Sequence, residues 1–122
     1  MKVVVVDDDP INIKTVVEGL KEEGFEVFEA GGAMEAMEII EKNPGIEWVV
    51  TDMVMPEVDG DQLITMLSEE KYQGIDIIAM TGQSLGLLTK TFAKHKKKKK
   101  VFPVLKPVKI ELITKLMKKK SA

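Results

Sequence analysis

Five polar side chains close apolar runs in this sequence. Asp7 and Asp8 follow Val3 to Val6, Asp52 follows Trp48-Val49-Val50-Thr51, Thr81 follows Ile75 to Met80, and Lys106 follows Val101 to Leu105. If these runs are parallel strands, their carboxyl ends converge on one crevice, where open α/β sheets bind their ligands. Three carboxylates, a hydroxyl and an ammonium gathered there suit a divalent cation and a phosphoryl group. The carboxylates repel one another unless a cation stands between them. Mg²⁺ (or Mn²⁺) is the expected ion, because Mg²⁺ takes oxygen ligands in near-octahedral geometry and often binds through one or two carboxylates plus a substrate phosphate. A carboxylate beside the metal can act as a nucleophile toward phosphorus and become an aspartyl phosphate. Lys106 would then neutralise phosphoryl charge, and Thr81 would supply a hydroxyl donor.

Such a crevice needs a parallel sheet, and the chain alternates short apolar runs with amphipathic segments in the manner of βα units. Five units are expected. Strand 1 is Val3 to Val6, a valine run suited to burial on both faces. The first helix begins near Pro10, carries Ile13, Val16, Val17 and Leu20 at helical spacing, and stops at Gly24. Strand 2 covers Phe25 to Ala30, and the second helix runs from the Gly31-Gly32 turn to the Asn43-Pro44-Gly45 break. Strand 3 covers about Glu47 to Thr51, and the third helix follows the Met53 to Gly60 loop and runs to about Lys71. Strand 4 is Ile75 to Met80, the fourth helix about Leu85 to Lys94, strand 5 Val101 to Leu105, and the fifth helix Lys109 to Lys119. Asp7 and Asp8 are adjacent, so both reach the crevice only if strand 1 has ended before them. Asp9 is placed to cap the first helix.

With 122 residues the chain fits one domain, residues 1–122, and can bury a stable core without staples. It has no cysteine, which excludes a disulfide framework and a thiolate metal site. No apolar run approaches the roughly 18 residues of a membrane span, and the amino-terminal run is too short for a signal peptide. A cytoplasmic location is expected. The net charge of -2 hides a split: residues 1–89 hold 19 of the 20 acids, whereas residues 90–122 hold 13 of the 18 lysines and only one acid, Glu111. There is no arginine, which weighs against sequence-specific contact with DNA. The Lys96 to Lys100 run is read as a solvated loop, since like charges repel. His95 has no second ligand in view, the methionines are mostly core filler, and Trp48 is a packing residue.

The residues at the strand ends lie in four recognisable blocks. They are Val-Val-Val-Val-Asp-Asp-Asp-Pro at 3–10, Val-Val-Thr-Asp-Met-Val-Met-Pro-Glu-Val-Asp-Gly at 49–60, Ile-Ile-Ala-Met-Thr-Gly at 77–82, and Leu-Lys-Pro-Val at 105–108. In order and spacing they resemble the signature blocks of bacterial two-component response-regulator receiver domains, over almost the whole chain. The likeness is to the stand-alone, chemotaxis-type receiver. The resemblance implies a doubly wound, flavodoxin-like α/β fold with a five-stranded parallel sheet of order 2-1-3-4-5 and five helices. It implies Asp52 as phosphoacceptor, Asp7 and Asp8 as the acidic pair, Met53 as the donor of a backbone carbonyl to the metal, Thr81 as the switch hydroxyl and Lys106 as the phosphate-pairing lysine. It also implies a signalling switch that assists its own phosphorylation and dephosphorylation and is not otherwise an enzyme. Its partners would be a sensor histidine kinase or phosphotransfer protein and a downstream protein, with the chain a monomer or weak homodimer.

Two departures from the family pattern stand out. Receivers usually carry an aromatic three residues before the lysine, where this chain has Pro103. Phe102 lies one residue earlier, and a strand period of two turns it to the opposite face unless a bulge intervenes. The stretch from Thr81 to Lys106 is also longer than usual, with the excess assigned to 96–100. An aspartate-nucleophile phosphatase of the haloacid-dehalogenase type is the enzymatic alternative. It needs a second acid two residues after the nucleophile, where this chain has Val54. A receiver fold with a basic nucleic-acid-binding surface is the other alternative, marked by steep salt dependence.

Overall fold

The computed structural model describes residues 1–52, 60–81, 101–105 and 109–121. The valine run forms β1, Lys2–Val6, and is followed by α1, Pro10–Glu22, β2, Glu26–Ala30, and α2, Ala33–Lys42. Next come β3, Ile46–Asp52, α3, Gly60–Leu67, a 3-10 turn, Glu70–Tyr72, and β4, Asp76–Thr81. β5, Val101–Leu105, and α4, Ile110–Ser121, complete the described elements. All strand pairs are parallel, in the order β2-β1-β3-β4-β5. The flavodoxin-like fold and strand order expected from the sequence are therefore present. The helix expected at 85–94, His95 and the 96–100 lysine run fall outside the described residues.

Strand alternation splits the valines evenly between two cores. Val4, Val6, Val49 and Ile77 pack against Ala33, Ala36 and Ile40 of α2 and Leu63, Ile64 and Leu67 of α3. Val3, Val5, Val50, Ile78 and Met80 pack against Ile13, Val16, Val17 and Leu20 of α1 and Ile113 and Met117 of α4. Trp48 is fully buried in the second core, and its ring lies 5.8 Å from that of Phe102 at 42°. β5 runs beside β4 in unbroken register from Ile77↔Val101 to Thr81↔Leu105, with no bulge. Phe102 and Val104 therefore share the face covered by α1 and α4. Proline is tolerated at 103 because β5 is an edge strand.

Local chemistry sets the helix ends. Gly24, at φ +92°, takes the left-handed conformation that closes α1: the Phe25 N–H reaches the Leu20 carbonyl at 3.1 Å and the Gly24 N–H reaches Lys21 at 3.0 Å. α3 is shorter than its periodicity suggests. It ends at Leu67, where the Ser68 N–H turns to the Thr65 carbonyl at 3.2 Å and the Ser68 hydroxyl donates to the Ile64 carbonyl at 2.7 Å. That tightened turn leads into the 3-10 segment, which buries Tyr72.

Candidate functional site

The carboxyl edge of the sheet is built in steps. Val6 pairs with Thr51, Asp52 pairs with Met80 one row further on, and Thr81 pairs with Leu105 in the row beyond that. Lys106 follows Leu105 directly in the chain. Asp52 and the backbone of Thr81 thus lie at the rim that sequence spacing indicates, whereas Met53 and Lys106 fall outside the described residues.

β1 stops before Asp7. The Asp7 N–H still bonds the Ala30 carbonyl of β2 at 3.1 Å, and the chain then bends away at Asp8. This end to the strand frees two adjacent aspartates from pointing to opposite faces. Oxygen atoms of Asp7, Asp8 and Asp52 all lie within 4.8 Å of one another. Asp7 and Asp52 are 2% and 7% exposed, while Asp8 is exposed, so two ligands have a fixed frame and the third faces the solvent from which an ion would arrive. Behind them, the buried Thr51 hydroxyl donates to the Asp52 carbonyl at 2.9 Å.

The donor set fits a hard divalent cation. With Mg–O distances of about 2.1 Å, neighbouring ligand oxygens on one octahedral Mg²⁺ lie about 3.0 Å apart and opposite ones about 4.2 Å, so carboxylates whose oxygens lie within 4.8 Å of one another would draw closer around the ion or keep a water between them and it. Asp7, Asp8 and Asp52 are the described residues that would hold it.

Asp9 does more than its sequence reading suggests. Its carboxylate accepts the Ile11 N–H at 3.0 Å and its carbonyl accepts the Ile13 N–H at 3.0 Å, which makes it the N-cap of α1 with Pro10 in the first helical position. Its own N–H donates to the Asp7 carboxylate at 2.9 Å. The Asp-Asp-Asp-Pro string carries the signal for the cap, but the tie to Asp7 depends on how the chain leaves β1.

A second polar cluster lies at the opposite edge of the sheet. Tyr72 donates to Glu41 at the end of α2, Lys71 lies 3.3 Å from Glu41, and the Lys71 ammonium sits 4.9 Å from the centre of the Tyr72 ring. The Tyr72 hydroxyl, and after it Lys71, hold the Glu41 carboxyl below its ordinary value. Glu41 in turn raises Tyr72, and hydrogen bonding to Tyr72 and Glu41 raises Lys71. These groups bind α2 to the turn after α3 and lie far from the strand ends where the acids meet.

The sequence model described as "Response regulator receiver domain" matches residues 3–118. The chain belongs to the response regulator receiver domain family. A chemotaxis protein CheY homolog of Campylobacter jejuni is 34% identical over 83 residues, covering 66% of this chain and 64% of that protein. The two-component response regulator ARR11 of Arabidopsis thaliana is 32% identical over 85 residues, covering 69% of this chain and 16% of that protein. The matched segment thus spans less than two thirds of the length of either relative. A response regulator receiver protein from Pseudomonas putida superposes with a TM-score of 0.84 at 26% identity, covering 97% of this chain and 95% of that one. Chemotaxis protein CheY4 of Vibrio cholerae superposes at 0.83, with 97% and 96% covered, and its 22% identity makes it a likeness of fold. Receivers are the signalling switches of two-component systems, and Mg²⁺ binding at an acidic pocket belongs to the family. No helix among the described residues is long and apolar enough to cross a membrane.

Proposed function

We propose that this chain, as one receiver domain over residues 1–122, accepts a phosphoryl group on Asp52 from a histidine kinase or phosphotransfer protein and changes its contacts with a downstream protein. The observation that carries this is a buried Asp52 ending β3 with the Asp7 and Asp8 carboxylates beside it. In the transfer, a carboxylate oxygen of Asp52 forms the new bond to phosphorus. The bond from phosphorus to the donor imidazole nitrogen breaks, and that nitrogen keeps the electron pair and is reprotonated. Mg²⁺, held by Asp7, Asp8, Asp52 and the Met53 carbonyl, would offset the charge gathered around the phosphoryl oxygens. Lys106 balances charge from the strand 5 side and Thr81 offers a hydroxyl. The chain acts as an acceptor and switch, with an output carried by protein contact, and a cytoplasmic setting suits a histidine-kinase donor.

Incubation with acetyl phosphate and Mg²⁺ should add one phosphoryl mass to the natural chain and none to Asp52→Asn. The adduct should be lost to hydroxylamine, as an acyl phosphate is, and should not form in excess chelator. Undiminished labelling of Asp52→Asn, or full labelling without a divalent cation, would overturn the assignment.

A further inference from the structure

We propose that Asp9 is a positioning residue that couples the metal-binding carboxylates to the first turn of α1, so that Mg²⁺ binding and the folding of that turn reinforce each other. The inference rests on the reading of Asp7, Asp8 and Asp52 as Mg²⁺ ligands. It adds a residue that would not touch the metal.

Asp9 links the carboxylates and the turn through its N–H, its carboxylate and its carbonyl. Its N–H fixes the Asp7 carboxylate at 2.9 Å, its carboxylate holds the Ile11 N–H at 3.0 Å, and its carbonyl starts the helical ladder at Ile13 at 3.0 Å. Asp7 is anchored on its other side by the bond from its N–H to Ala30. Asp8 lies between these two fixed residues with its side chain in solvent, so its freedom is set by theirs. If the Asp9 cap opens, the first turn of α1 frays and the backbone that orients Asp7 and spaces Asp8 loosens with it. Coupling of this kind is reciprocal: whatever the ordered turn contributes to Mg²⁺ affinity, bound Mg²⁺ returns to the turn. The cap needs an acceptor oxygen and no charge, because asparagine caps helices about as well as aspartate, and alanine does so poorly.

Asp9→Asn and Asp9→Ala remove the same charge, so the difference between them isolates the cap. Mg²⁺ affinity, followed by titration of amide shifts, should be similar in Asp9→Asn and the natural chain after allowance for the lost charge. Asp9→Ala should bind roughly three- to tenfold more weakly than Asp9→Asn, as expected from a cap of ordinary strength. Hydrogen exchange at the Ile13 amide gives a second readout, since its acceptor is a backbone carbonyl present in every variant. Mg²⁺ should slow that exchange in the natural chain and in Asp9→Asn, and much less in Asp9→Ala. Equal affinities in the two variants, with an unchanged Mg²⁺ response at Ile13, would overturn the coupling and leave the metal site standing. If Asp8→Asn and Asp52→Asn bind Mg²⁺ as tightly as the natural chain, the metal site itself falls.

Discussion

The Tyr72 hydroxyl donates a hydrogen bond to Oε1 of Glu41, 31 residues earlier, and so fastens the 3-10 turn to the last turn of α2. Its dependence on pH has a definite sign. Glu41 is depressed below 4.5, so its contribution is present above that value and is lost as pH falls. Tyr72 is raised above 10.0, so its contribution is present below that value and is lost as pH rises through the folded-state pKa. The gap in Tm between the natural chain and Tyr72→Phe should therefore be widest between these limits and should narrow beyond both. A gap independent of pH would show that Glu41 does not supply it.

Gly19 of α1 packs closely against Ile110 of α4. A Cβ built there would lie 2.6 Å from Cγ1 of Ile110, and the β-branched isoleucine has little rotamer freedom with which to retreat. Gly19→Ala should destabilise the fold by about 1–3 kcal/mol despite the better helix propensity of alanine. Ile110→Ala in the same chain should recover much of that loss. Denaturant unfolding of the two single variants and the double variant measures this, and additive losses would refute the steric account.

Lys106→Ala should leave Mg²⁺ affinity close to natural while uncoupling phosphorylation from partner binding, and Thr81→Ala should do the same more mildly. Both are assigned to the phosphoryl group and neither to the metal. Loss of metal binding in either folded variant would show that the roles are wrongly divided.

With proline at 103, the phosphorylation signal should travel through Thr81 and the residues after it, with little change at strand 5. Trp48 is the only tryptophan, and its ring lies 5.8 Å from that of Phe102. Beryllofluoride with Mg²⁺ should therefore shift amides from Thr81 to Thr91 strongly while leaving those at Phe102, and Trp48 emission, nearly constant. Dominant changes at Phe102 would mean that the aromatic takes part in the switch.

Much of this was legible from local pattern. Val3 to Val6 allowed only a strand buried on both faces, and the polar residue closing each run marked the crevice because strand ends gather the same edge of a parallel sheet. The end of α3 was not legible. Leu63, Ile64 and Leu67 set a helical period that nothing in the next few residues forbids, whereas the chain tightens at Ser68, whose N–H meets the Thr65 carbonyl, and Tyr72 is held by a glutamate on α2. The bond from Asp9 to Asp7 spans only two residues, the reach of an Asx turn, and forms where the chain bends at Asp8; what the sequence does not display is the bond that holds the Asp7 N–H to Ala30, 23 residues away.

The two border strands of the sheet each carry a feature that resists a newcomer, and the two features differ. β2 exposes Glu26 and Glu29 along its length, and β5 carries Pro103 at its midpoint, where an added strand would find no N–H to meet its carbonyl. A parallel sheet so rich in valine and isoleucine would otherwise be a template for stacking chain upon chain. Charge at one border and a missing donor at the other disfavour a sixth strand, and so work against edge-to-edge association of a β-prone sequence.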